Sequence, residues 1–179
     1  MLRSPRWFVP ALAFALAVPA ARATTMIPQS LDQLAAGSWA VVRVTTLETH
    51  AAWTANRVIV TTAHARITES LAGPLRAGQE IDVATLGGTV DGTSLIVEDA
   101  PHFAAGTDAV LFLEAGSSSP YHVTSLAQGK FDVHRDTAGR ESLSRDDLEG
   151  AGFALRGLPR GPLSLSDLRQ RVRSAQLAR

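Results

Sequence analysis

Arg57-Val58-Ile59-Val60-Thr61-Thr62-Ala63-His64-Ala65-Arg66-Ile67-Thr68-Glu69-Ser70-Leu71 runs without a glycine or a proline. On an extended chain Ile59, Thr61, Ala63, Ala65 and Ile67 fall on one face, and Val58, Val60, Thr62, His64, Arg66 and Thr68 on the other. The stretch therefore predicts a long β-strand with one dry face and one face that grows wetter toward its end. A strand near fifteen residues usually must bend, and a bent strand suits a small barrel better than a flat sheet.

The flanking sequence repeats the signal in shorter pieces. Upstream, Trp39 to Leu47 is rich in β-branched residues, and Thr49 to Asn56 reads as a polar connection that carries Trp53 at a hairpin tip. Downstream, Gly73-Pro74 and Gly78 punctuate the chain before Glu80 to Thr85, where Ile81 and Val83 alternate inward. Gly87-Gly88 and Gly92 frame a loop, and Ser94 to Val97 is a short strand. Ala109 to Leu113 is continuously apolar, which suits a strand covered on both faces.

Tyr121 to Leu126 and Lys130 to Arg135 flank Ala127-Gln128-Gly129, the composition of a three-residue hairpin connection with glycine at a positive-φ position. Pairing symmetric about Gln128 would set Val123 opposite Val133, Ser125 opposite Phe131 and His122 opposite His134. Six or seven strands with no helices between them predict an all-β fold, a small OB-like antiparallel β-barrel.

Two helices complete the expectation. Ser30 followed by Leu31, Gln33, Leu34 and Gly37 predicts a short capped N-terminal helix. Ser164 or Ser166 can cap a C-terminal helix to Leu177, with Leu165, Leu168 and Val172 on one stripe and Arg169, Arg171 and Arg173 around it. Four glycines and two prolines between Gly150 and Pro162 have the composition of a linker. The organisation expected is thus a processing segment at 1–23, a barrel at 24–149, a linker at 150–163 and a helix at 164–177.

The processing segment reads as an export signal. Arg3 and Arg6 precede an apolar run from Trp7 to Val18, too short to span a bilayer, and Ala21-Arg22-Ala23 supplies the small residues that a signal peptidase recognises. Cleavage near Ala23-Thr24 would leave a periplasmic or extracellular protein with no membrane span; a retained N-terminal anchor is the alternative.

Across all 179 residues, 17 basic and 17 acidic side chains cancel. The balance is uneven along the chain. Arg3, Arg6 and Arg22 would leave with the signal, giving a net of −3; the tail from Arg160 carries five arginines against Asp167, or +4, so the body from Thr24 to Pro159 is at −7. An acidic body with a single lysine does not suit nucleic acid, even on an OB-type barrel. No cysteine is present, which excludes disulfides, Cys-ligated metals and thiol catalysis. Partner and ligand are not legible, and a monomer binding a protein or cell-envelope component is expected.

Val41 to Val44, Thr61 to Glu69 with Leu71-Ala72-Gly73, Gly106 to Leu113 and Leu126 to Phe131 together resemble a family of uncharacterised exported bacterial proteins. The likeness spans about Leu31 to Arg135, and Gln128-Gly129-Lys130-Phe131 is its most specific piece. It implies location and fold. More coarsely, the strand order resembles the OB-type barrel of netrin-like modules such as tissue inhibitors of metalloproteinases. Those act through an N-terminal cysteine that this chain lacks, so the resemblance implies topology only.

No catalytic motif stands out: there is no His-Glu-x-x-His, Gly-x-Ser-x-Gly, Walker loop or Ser-x-x-Lys. The best metal candidate is His122 with His134 and Asp132, since imidazoles opposed on a β-ladder lie about 4.5–5.5 Å apart at Cβ. Histidines on an ordinary polar face are the competing reading. His64 beside Arg66 and His50 near Trp53 read as surface residues, and Asp146, Asp147 and Glu149 beside Arg145 as a solvated loop. Gly87 to Gly92 lacks the lysine and helix of a phosphate cradle and reads as a turn. Trp53 is the candidate partner-binding residue, against packing over the barrel mouth. The expectation is a non-catalytic exported binding module with no cofactor; the alternatives are an inhibitor or accessory subunit of a secreted protease, and a hydrolase with an unrecognised site.

Overall fold

The computed structural model describes residues 27–114, 119–148 and 163–177. The segment 1–23 read as a signal lies outside the described residues, as does the linker apart from Leu163.

Helix α1 (Leu31–Gly37) starts as expected: the Gln33 amide donates to Ser30 Oγ, and the Ser30 amide to Gln33 Oε1, a reciprocal capping box. The strands that follow are β1 (Ala40–Trp53), β2 (Ile59–Ala72), β3 (Glu80–Leu86), β4 (Gly88–Val90), β5 (Thr93–Leu95), β6 (Asp108–Leu113), β7 (Lys130–Arg135) and β8 (Glu141–Ser144), and α2 (Leu165–Leu177) ends the described chain. Six strands form one antiparallel sheet in the order β3-β2-β1-β6-β7-β8, while β4 and β5 make a separate hairpin. The all-β class with a short N-terminal and a C-terminal helix is therefore what the chain adopts. The sheet does not close as a ladder. Barrel character is confined to one side, where residues 121–123 run from β3 back to β6 through single bridges, Val83 with Tyr121 and Leu113 with Val123.

The central strands bury both faces. Alternation along β6 sends Val110 and Phe112 to a core shared with α1 and α2, and Ala109, Leu111 and Leu113 to a second core shared with Ile67, Ile81, Val83 and Val123. That is why the run 109–113 carries no polar residue. Helix α2 seats its stripe firmly on the first core: Leu165, Leu168 and Val172 are buried, Ser164 Oγ accepts from the Asp167 amide, and Arg169 makes a two-point ion pair with Glu69. No helix among the described residues is long and apolar enough to cross a membrane.

Two expectations are corrected. The connection holding Trp53 is shorter than its polarity suggests, because β1 keeps its pairing with β2 through Trp53, opposite Ile59. And the hairpin about Gln128 does not exist. Ser125 and Leu126 take left-handed backbone, both at φ 56°, and open a 3₁₀ turn over Leu126–Gly129. The turn redirects the chain so that β7 enters the sheet between β6 and β8. Phe131 pairs with Val110 rather than with Ser125, and Val133 with Leu143 rather than with Val123. A strand buried on both faces offers β7 more apolar contact than a solvated partner strand would.

Candidate functional site

Once the hairpin is lost, the metal candidate is not assembled. His122 lies beyond the end of β6, where its carbonyl accepts from the Glu114 amide. Asp132 turns to Lys130, 2.6 Å from its Nζ, and His134 stands opposite Ser142 on β8. No group of three or more His, Asp or Glu side chains among the described residues is arranged to hold a metal ion.

Lys130 takes the place that a cation would occupy. It is only 4% exposed, its ammonium bonds Asp132 and Asp147, and it lies 5.9 Å from the Phe103 ring centroid. Burial is the main cause that raises the Asp132 carboxyl above its usual range, with Asp147 and Asp146 adding to it and Lys130 opposing. Each residue of Gln128-Gly129-Lys130-Phe131 is committed internally. Gln128 clamps the start of the described chain, accepting from the Gln29 amide and donating to the Ile27 carbonyl. Gly129 is there for space, since a Cβ would meet the Thr124 carbonyl oxygen. Phe131 packs at 5.7 Å from Phe112. The most specific piece of sequence is thus a structural junction.

Around it runs a polar groove of about 440 Å³, bordered by Arg43, Asp108, Asp132, His134, Arg135 and Glu141. Arg43 holds Asp108 and Glu141 at 2.8 and 2.9 Å, and Arg135 adds a second bond to Glu141. The hydrogen bond from Arg43, followed by that from Arg135, holds the Glu141 carboxyl down at about 2. Beside them Ser144, His134 and Asp146 form a trio, but both Ser144 and Asp146 bond His134 through Nε2. A relay needs the carboxylate on one ring nitrogen and the nucleophile on the other, so this trio does not prepare a base. His64, expected at the surface, is by contrast held at both nitrogens, by Asp82 at 2.8 Å and Glu80 at 3.2 Å. The bond from Asp82, then that from Glu80, raises its pKa. Alternation in β2 could not reveal this, because both carboxylates come from β3.

A different surface is open. The Asp91-Gly92 turn, at φ 49° and 76°, closes the β4–β5 hairpin, and Thr61 Oγ1 donates 2.7 Å to the Gly87 carbonyl to hold its base against β2. Gly88 (φ +133°) touches the β1–β2 hairpin so closely that a Cβ would lie 3.0 Å from Ala51 Cβ. Between this hairpin, the end of β3 and the segment Pro101–Phe103 lies a cleft of about 330 Å³. Its wall is mainly apolar, with Leu95, Ile96, Val97 and Phe103; Thr85 also borders it, with its hydroxyl oxygen packed out of reach of the cleft. Ile96 is 85% exposed at its rim, Leu86 50%, and Trp53 is 47% exposed at the end of β1.

No protein-family model matches the chain, and no curated protein matches its sequence. The cleft therefore stands on its own geometry. Trp53 is legible in the sequence as a candidate contact residue, whereas Ile96 is not. An alternating polar and apolar pattern does not distinguish a cleft wall from a core face, and the glycine-framed loop gave no sign that it folds into a wall.

Proposed function

We propose that the protein is an exported, non-catalytic binding module that accepts an uncharged, mainly apolar ligand segment in the cleft beside the β4–β5 hairpin. The observation that carries this reading is the cleft itself: an apolar wall of Leu95, Val97 and Phe103 with exposed Ile96 at the rim, as a ligand pocket needs. The wall carries no carboxylate, lysine or arginine, and His102 is its one titratable group, so a charged ligand would lose hydration without a matching partner. Trp53, on the neighbouring hairpin, extends the apolar surface as a partner contact. Export is supported by the n-region, apolar run and small-residue cleavage site at 1–23, and places the partner in the periplasm or outside the cell. The inhibitor alternative has only topology behind it, and the trio at His134 does not favour a hydrolase.

The test is site-specific photo-cross-linking in the source cell, with a photoreactive residue at position 96 and, as control, at the exposed Ala138 in the β7–β8 turn. A discrete adduct from position 96 and not from 138 is expected. No adduct from position 96, or the same adducts from both positions, rejects the cleft.

A further inference from the structure

The β4–β5 hairpin is a sheet of two strands, in which Gly88 pairs with Leu95, Thr89 with Ser94 and Val90 with Thr93. Its two-residue turn, Asp91-Gly92, makes Val90 and Thr93 the closing hydrogen-bonded pair, and pairs along an antiparallel ladder alternate between hydrogen-bonded and not. Ser94 and Thr89 therefore form a non-hydrogen-bonded pair, and the Ser94 N–H and C=O point away from β4. Two residues on, Ile96 turns its main chain to the same side. It is 85% exposed and makes no backbone hydrogen bond among the described residues. The outer edge of β5 thus carries free donors and acceptors.

That edge lies on the cleft. Ser94, Leu95, Ile96 and Val97 all border it. Successive strand residues point to opposite faces, so a cleft that meets four in a row runs along the edge rather than over one face. Sheet edges are ordinarily blunted by charge or proline, yet Thr93-Ser94-Leu95-Ile96-Val97 has neither and is rich in side chains that favour strands. The charges stand at the ends of this stretch, with Asp91 in the turn and Glu98 and Asp99 after Val97. None of the three forms an ion pair among the described residues. An open edge asks for main-chain amides, an uncharged wall for apolar side chains, and acidic ends for cations beyond them.

We propose that the cleft takes its ligand as an added β-strand: an extended peptide whose uncharged core of about five residues, roughly 17 Å long, pairs with Ser94 and Ile96, with Lys or Arg at its ends facing Asp91 and Glu98. The proposal rests on the reading of the cleft as a binding site and adds the class of ligand and how it is held.

The probe is a synthetic library of acetylated, amidated peptides with lysine at both ends and five uncharged residues between, screened against the full chain. A selected peptide is compared with its counterpart N-methylated at the amides that face β5, which keeps every side chain but removes the main-chain donors. N-methylation should weaken binding about ten-fold, the loss of two neutral hydrogen bonds. Ser94→Pro should weaken it about as much and Ser94→Ala less than about two-fold, since only the former removes the edge N–H. Bound peptide should slow amide exchange at Ser94 and Ile96 about ten-fold and leave Gly92, in the turn, unchanged. Glu98→Gln should weaken binding about two-fold and reduce its dependence on salt.

Equal binding of the N-methylated peptide, or a bound peptide that leaves exchange at Ser94 and Ile96 unaltered, overturns strand addition while the cleft remains a binding site. So does a library without binders when position 96 still cross-links in the cell to a lipid, to a second copy or to the chain itself. A library without binders and no adduct from position 96 overturns both readings.

Discussion

At Gly129 one hydrogen in place of a side chain decides how a strand joins the sheet. Thr124 O and the Val123 side chain close on the position from the preceding segment, so any Cβ must move backbone. Gly129→Ala should cost about 3 kcal/mol or more, as overpacking against rigid neighbours does, measured by urea unfolding. A cost below 1 kcal/mol would mean that the turn relaxes freely. The same residue shows why a glycine is ambiguous in sequence. It was expected to supply a positive φ for a hairpin, whereas Ser125 and Leu126 supply the left-handed backbone and Gly129 supplies room. Lys130 and Arg145 were equally opaque. A lysine after a glycine and an arginine before two aspartates look solvated, and only the fold buries both, one paired and one not.

At the scale of elements, α2 is the piece whose role changed most between pattern and packing. Its narrow stripe suggests loose association, yet Leu168 and Val172 are fully buried, and the helix rests on α1, β2 and β8. Leu168→Ala should therefore destabilise the whole domain by about 2–4 kcal/mol, with hydrogen exchange rising in both helices before the central strands. Loss confined to α2, with the midpoint of the sheet unchanged, would show that the helix is an appendage. The long strands were legible because period-two burial is a local signal: Ile59, Ala63, Ala65 and Ile67 are buried as the alternation of β2 demands. Which strand pairs with which was not legible past β3, because β6, β7 and residues 121–123 meet across intervals that no local pattern encodes.

For the whole molecule, charge works through separate sites rather than through the net balance. Glu141 sits near 2 in the folded protein against an ordinary 4.5, so its stabilisation is present above about 4.5 and is lost as pH falls toward 2. His64 is raised, so its stabilisation is full below its ordinary value of 6.5 and disappears as pH rises through the folded value. Asp132, raised chiefly by burial, opposes Glu141 by favouring its protonated form. Thermal midpoints measured from pH 3 to 9 should thus fall on both sides, with Glu141→Gln flattening the acid limb and His64→Gln the alkaline one. If neither variant alters its limb, these ion pairs contribute nothing measurable to the fold.

By itself the sequence determined strands β1 to β3, β6 and β7, the two helices with their serine caps, and the two-sided burial of 109–113, because periodicity, capping and apolar runs are properties of neighbours along the chain; β4 and β8 carry no such signal, and residues 121–126 do not form the strand their composition suggests. Tertiary structure alone decided that β7 pairs with β6, that His122 and His134 part, that Lys130 and Arg145 are buried, and that a glycine-framed loop becomes the wall of a cleft. Those outcomes depend on which distant strand offers the larger apolar surface and on where an adjoining turn points the chain. Lys130 is buried not because its neighbours in sequence are apolar, but because Phe103 and the carboxylates of Asp132 and Asp147 close around it.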